Sequence, residues 1–314
     1  MASQKRRWDA ALPLLVAAVT LLVFWSCVRN GFVNTDDPEF MIRPFRGLSL
    51  PDLKGMFTSF YFSNYVPLSL LSYSADFALW GMNPAGYHLT NVLLHAANAG
   101  VFYFLCRELL SFGGDGRDDR WAAAGAALFW ALHPLRVQSV AWIAERRDVL
   151  CGLFFLLSLL FWLRSFRPGR LRGARGRAWS FAMFLLSLLA KAAAVPLVLV
   201  LVLLDVWPLR RPLRSARTWM EKLPFAALAA LFAVLAAAAQ GKGGGLAAGR
   251  VEPLQRLNQI GIGLVFYLGK LVWPSKLALY EWHWAPVRSA VLIGSAATAV
   301  LLLLAWRSRA LRAS

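Results

Sequence analysis

Two neighbouring carboxylates, Asp36 and Asp37, are the first residues in this chain whose types and spacing can do chemistry. They stand in Asn30-Gly31-Phe32-Val33-Asn34-Thr35-Asp36-Asp37-Pro38-Glu39, just past an apolar run from near Ala10 to near Cys27. Acids so close to a bilayer lose solvation unless they are used or paired. A carboxylate held there can act as a general base. The same residues are also good turn formers that would simply end the helix. Further along, His88, Asn91, His95 and Asn98 recur every three or four residues and share one helix face. Such a face either lines an interior site or bonds neighbouring helices. His133 precedes an amphipathic stretch that gathers Arg136, Glu145, Arg146, Arg147 and Asp148. Lys191 stands alone between two apolar runs, where it either snorkels or meets an anionic group.

The elements that position these residues are membrane helices. The chain has 314 residues, 59% of them hydrophobic, and a mean hydropathy of +0.53. Apolar runs separated by short polar breaks recur along almost its whole length, the pattern of an all-α, polytopic transmembrane bundle of about nine spans. The expected spans are Ala10–Cys27, Tyr87–Leu105, Trp121–Leu132, Val149–Trp162, Trp179–Leu189, Ala194–Trp207, Leu223–Ala239, Leu257–Trp273 and Val287–Trp306. The first lacks a small-x-small cleavage site and is not expected to be removed as a signal peptide.

The net charge of +18 sits in a few breaks: Lys5 to Arg7, Arg164 to Arg177, and Arg210 to Arg217. That is a positive-inside pattern with membrane lipid as partner, and it carries no nucleic-acid recognition motif. It puts the N-terminus in the cytoplasm and Asp36, Asp37, the Leu135–Asp148 stretch and Lys191 at the outer face. The odd count leaves Arg307, Arg309 and Arg312 outside as well. The first outer segment, about residues 29–85, contains a helix start at Ser49 with Pro51 in its first turn, expected to lie in the interface. Cys27, Cys106 and Cys151 are spaced for packing, not for a disulfide or a metal.

Laid out in order, these segments resemble the membrane half of the transmembrane O-mannosyltransferases that carry tetratricopeptide repeats, especially their bacterial relatives. The matching residues begin with Asn30 to Pro38, Gly81-Met82-Asn83-Pro84-Ala85-Gly86-Tyr87-His88-Leu89-Thr90-Asn91-Val92-Leu93-Leu94-His95, and Ala131-Leu132-His133-Pro134. They continue with Ser139 to Leu150, Leu189-Ala190-Lys191, Leu204-Asp205-Val206-Trp207-Pro208-Leu209, and Tyr267 to Pro274.

The resemblance implies a GT-C fold forming one module over residues 1–314. It implies an enzyme of the cytoplasmic membrane that moves a hexose, mannose by family, from a polyprenyl phosphate to a hydroxyl acceptor such as protein Ser or Thr. The lipid-linked sugar is then a co-substrate, and no other cofactor is expected. By position, Asp36 or Asp37 is the catalytic acid of the first outer loop. The leaving phosphate calls for cations, and Lys191, Arg146, Arg147 and Arg136 are candidates, with His88, His95 and His133 as further substrate-binding residues.

The chain departs from the family at Val66, where relatives usually carry His, and at Arg136 and Gln138, where they carry His and Glu. His133, a second His three residues on and a following acid could bind a metal, but Arg136 and Gln138 break that trio and no metal is expected. No tetratricopeptide repeat follows Trp273. Two other functions compete: a scaffold of the same family without turnover, and a lipid or small-anion transporter with His88, His95 and Lys191 along its path.

Overall fold

The computed structural model describes residues 2–33, 36–37, 47–113, 119–242, 253–275 and 277, and among these the structure is all-helical. The chain groups into two compact units, Met1–Gly245 and Leu246–Ser314. In the first unit, α1 (Ala2–Phe24) runs into a 3-10 turn (Trp25–Arg29). Then come α2 (Leu50–Thr58), α3 (Pro67–Trp80), α4 (Pro84–Gly113) and α5 (Arg120–Ala131). A 3-10 turn (Pro134–Arg136), the short α6 (Val137–Ala141) and a second turn (Ile143–Glu145) lead to α7 (Arg146–Arg164). The unit closes with α8 (Ala174–Ala190), α9 (Leu197–Val206), α10 (Ala216–Met220) and α11 (Leu223–Lys242). In the second unit, α12 (Pro253–Val272) covers the expected Leu257–Trp273 span. The expected span Val287–Trp306 lies outside the described residues.

Local chemistry explains several boundaries. Ser49 caps α2, its hydroxyl accepting from Asp52 N at 3.3 Å, with Pro51 in the first turn as the sequence predicts. The turn Gly81–Gly86 needs both of its glycines. Gly81 sits at φ +57°, and a Cβ on Gly86 would lie 2.2 Å from the Trp80 ring. Asn83 then accepts from Ala85 N at 3.1 Å as α4 begins, and the Tyr87 hydroxyl donates back to Gly81 O at 2.8 Å.

Among the described residues, three helical stretches are long and apolar enough to cross a membrane: Ala11–Arg29, Pro84–Phe112 and Ala216–Gly241. Ala192–Val206 is a shorter apolar stretch. The expected spans in α5, α7 and α8 are also helices, shorter or more polar than a lipid-crossing segment requires. Exposed Leu14, Leu22, Leu199 and Val234 stud the outside of the bundle, as lipid-facing helices demand and water-facing ones do not. The chain is a membrane protein.

α4 is the central post, with α1, α5 and α7 packed along it. Small residues let those helices approach closely: Ala99, Ala123, Ala127 and Ala131 meet Leu12 and Val16 in one buried cluster. α7 and α8 form the other main pair. They are stitched by reciprocal serine bonds, Ser158 Oγ to Ser180 O and Ser180 Oγ to Ser158 O, each at 2.8 Å. Phe225 of α11 closes this side, with ring centroids 5.6 Å from Trp162 and 5.7 Å from Phe184.

Candidate active site where the first loop meets the bundle

The polar face of α4 ties the bundle to its loops. Asn91 Nδ2 donates to Val140 O at 3.2 Å and Trp142 O at 3.3 Å. Asn98 donates to Val149 O at 2.8 Å. A ring nitrogen of His95 meets Ala131 O at 2.9 Å, deep in the bundle against Phe24. His88 Nε2 lies 3.3 Å from Gly31 O, at the start of the first loop. The four side chains share one face, are buried, and each makes at least one contact to a backbone carbonyl of another segment. Interhelical bonding, one of the two readings of their spacing, accounts for these contacts.

The two acids of the first loop are placed differently. Asp37 is fully buried, and its oxygens accept from Val33 N at 2.7 Å and Ala144 N at 2.9 Å. Burial pushes its carboxyl above the usual carboxylate range, and the two backbone donors offset this only in part. Asp37 is thus an anchor that fastens the loop to the Ile143–Glu145 turn. Asp36 beside it is half-buried and bonds to no other described residue.

That turn is held from behind by a buried ion pair with no local signal in the sequence. Arg146, fully buried, pairs with Asp76 of α3 at 2.5 Å. Its Nε donates to Asn91 Oδ1 at 2.7 Å, and its terminal nitrogens donate to Ser72 Oγ at 3.0 Å and Tyr87 O at 2.8 Å. Thr90 supplies a second partner to Asp76 at 2.8 Å. The guanidinium also lies 4.7 Å from the Tyr73 ring centroid, and the Tyr73 hydroxyl donates to Ile143 O at 2.9 Å. Every nitrogen of Arg146 is engaged, so it joins α3, α4 and α7 below the anchor.

In front of the hub lies an open charged group. Lys191 Nζ reaches Asp148 at 2.5 Å and Glu145 at 3.1 Å, and Arg147 meets the other oxygen of Glu145 at 2.9 Å. The Lys191 and Asp148 side chains are 27% and 36% exposed, which leaves the pair reachable. Burial pulls the Lys191 ammonium down, but Asp148 and Glu145 outweigh it and hold its pKa above the ordinary lysine value. Ser69 of α3 donates to Ala190 O at 3.0 Å, bringing the Lys191 turn alongside α3. Asp148 also suits its place in the first turn of α7, where the helix dipole favours an acid.

Asp37, Arg146, Arg147, Lys191 and His88 therefore converge around residues 142–148, with Asp36 next to them in the chain. Arg136 is half-buried and packs over the Trp130 ring at 5.2 Å, and no ion pair joins it to another described residue. His133 caps the turn after α5, accepting from Leu135 N at 3.2 Å. The sequence assigned no role to Asp76 or Tyr73 and did not pair Lys191 with Glu145 and Asp148. Asp76 stands out only as an acid in an otherwise apolar helix.

Comparison with known proteins adds to this geometry. The chain is 42% identical over 118 residues to protein O-mannosyl-transferase TMTC2 of Mus musculus, covering 38% of this chain and 13% of that protein. It is 32% identical over 178 residues to protein O-mannosyl-transferase TMTC4 of Homo sapiens, covering 51% of this chain and 24% of that protein. Human protein O-mannosyl-transferase TMTC1 is 29% identical over 196 residues, 59% of this chain and 22% of that protein. The chain thus spans less than a quarter of the length of these relatives. No family model and no solved structure matches it. Over the part that aligns, the chain is similar in sequence to proteins named protein O-mannosyl-transferase.

Proposed function

We propose that the chain is the membrane module of a protein O-mannosyltransferase of GT-C type, with about nine spans. In this reading it works at the outer face of the cytoplasmic membrane, with its N-terminus inside, and takes mannose from a polyprenyl phosphate. The observation that carries the reading is the bond from Ala144 N to Asp37. It brings the first-loop acids against a stretch, Glu145 to Asp148, whose acids hold the partly exposed Lys191.

Asp36 is the general base: it takes the proton of a Ser or Thr hydroxyl as that oxygen bonds the sugar's anomeric carbon. The bond from that carbon to the phosphate oxygen breaks, and polyprenyl phosphate leaves with an extra negative charge. Lys191 and Arg147 can turn from Glu145 and Asp148 toward that charge, and Arg136 brings a planar fork for phosphate. A single displacement needs no covalent nucleophile. Asp37 keeps Asp36 in place, while His88 holds the base of the loop through Gly31. Arg146 and His95 act from within the bundle, and His133 from the turn that carries Arg136.

A second reading, a scaffold that binds the lipid-linked sugar without turnover, is favoured by Val66, Arg136 and Gln138, the positions at which the chain departs from the pattern that its resemblance implies. Transfer from labelled polyprenyl-phosphate mannose by purified protein separates the two. Turnover that falls about a hundredfold in Asp36→Asn supports the enzyme. A folded parent that binds the lipid but never transfers supports the scaffold, and unchanged transfer in both Asp36→Asn and Asp37→Asn rejects the assignment of the acids.

A further inference from the structure

The end of the bundle away from Asp36 carries a surface that the transferase reading does not use. α7 runs about 28 Å from Arg146 to Arg164 at the usual helical rise, and α8 returns along it. The basic segments around residues 164–177 and 206–222 therefore meet at that far end. Their contacts confirm it: Arg211 lies 4.6 Å from the Phe166 ring and Arg177 lies 3.8 Å from Glu221.

The acids described there are already committed. Glu108 holds Arg164 and Arg167, Asp205 holds Lys222 and Arg211, and Glu221 holds Arg211 and Arg177. Arg170, Arg172, Arg175, Arg210 and Arg214 are exposed, and none of them ion-pairs with a described residue. Arg217, 82% exposed, touches Glu221 only at 3.6 Å. The surplus is thus positive and faces outward.

These arginines border exposed apolar surface rather than a polar one. Trp179, Trp207 and Trp219 are each about half exposed beside them, and Leu203, Met220 and Leu223 continue the apolar surface. Tryptophan of this kind sits at the headgroup level of a bilayer. A partner that fits must offer a phosphate to the arginines and an acyl chain to the flanking side chains.

We propose that this shelf binds the headgroups of anionic phospholipids of the adjoining leaflet as specifically retained lipids. The guanidinium forks grip the phosphodiester and the tryptophans cover the glycerol level. The ion cluster beneath ties the two segments together. The inference stands independently of the transferase reading.

The test is native mass spectrometry of the full chain, purified from mixed micelles holding equal phosphatidylglycerol and phosphatidylcholine. Retention of phosphatidylglycerol over phosphatidylcholine by about tenfold or more is expected. The triple variants Arg170→Gln/Arg172→Gln/Arg175→Gln and Arg210→Gln/Arg214→Gln/Arg217→Gln should each lose most of that preference. The matching Arg→Lys triples, which keep the charge, should retain much of it. A thermal melt identifies any variant that fails to fold, and the Lys triples then carry the comparison against salt. Equal retention of the two lipids overturns the proposal, as does a preference unchanged in both Gln triples. Displacement of the lipid by a short RNA at a lower concentration than by soluble glycerophosphate would assign the shelf to nucleic acid and overturn it too.

Discussion

The two ends of the α7–α8 pair solve the same electrostatic problem in opposite ways. At the first-loop end, Lys191 and Arg147 balance Glu145 and Asp148 in a group that stays partly open. At the far end, Lys222 and Arg211 close on Asp205, and Lys222 and Asp205 are almost wholly buried. A sealed pair gains its strength from low dielectric and cannot release a partner cheaply. An open pair contributes little to stability, and its cation is free to exchange one anion for another. Charge count alone does not tell a structural cluster from a binding one; exposure does.

The sharpest way to break this contrast is to remove the same kind of cation at each end. Lys222→Met leaves Asp205 buried with only Arg211 and should destabilise the protein by about 3 kcal/mol, visible as a large drop in melting temperature in detergent. Equal melting of variant and parent would show that the far cluster is not sealed. Lys191→Met should cost under about 1 kcal/mol of stability. Under the proposed function it should still reduce mannosyl transfer by about a hundredfold, since a cation at the leaving phosphate is lost. A variant that melts early without any loss of transfer would reverse the two roles.

Tyr73→Phe tests the support behind the open end. It removes the donor to Ile143 O and leaves the ring under Arg146, so a loss of about 1 kcal/mol is expected in denaturation by urea. The smallest effect concerns pH. The carboxyl of Asp37 titrates above its unfolded value because it is buried, so folding favours its protonated form. Its stabilising share is complete below the ordinary carboxylate pKa and fades as pH rises through the raised one. Asp37→Asn should flatten that part of the stability profile, and an unchanged slope would show that Asp37 is not the titrating group.

Local chemistry made much of the scaffold readable. The cap at Ser49, the proline start at Pro67, the Gly81–Gly86 turn and the α4 face from His88 to Asn98 all follow from residues close in sequence. The long-range pairs did not announce themselves. Asp76 and Arg146 lie on different helices, and no spacing rule connects them. Lys191 meets acids more than forty residues before it. The candidate acids were visible as a pair, but their division into a buried anchor and a freer neighbour depends on the Ala144 amide, which carries no side-chain signal. Helix ends were harder still: α8 begins at Ala174 where the apolar run suggested Trp179, and α9 begins only at Leu197, after a turn at Ala192–Ala194.

The Arg146–Asp76 pair also imposes an order in time. The ribosome makes Asp76 about 70 residues before Arg146, which at usual elongation rates is roughly 4 to 14 seconds. During that interval α3 holds an acid without its counter-ion and cannot settle inside lipid. Its charge gains a counter-ion only once the start of α7 has been made, when Ser72 and Tyr73 also meet the guanidinium. The early helices are thus completed by a later one.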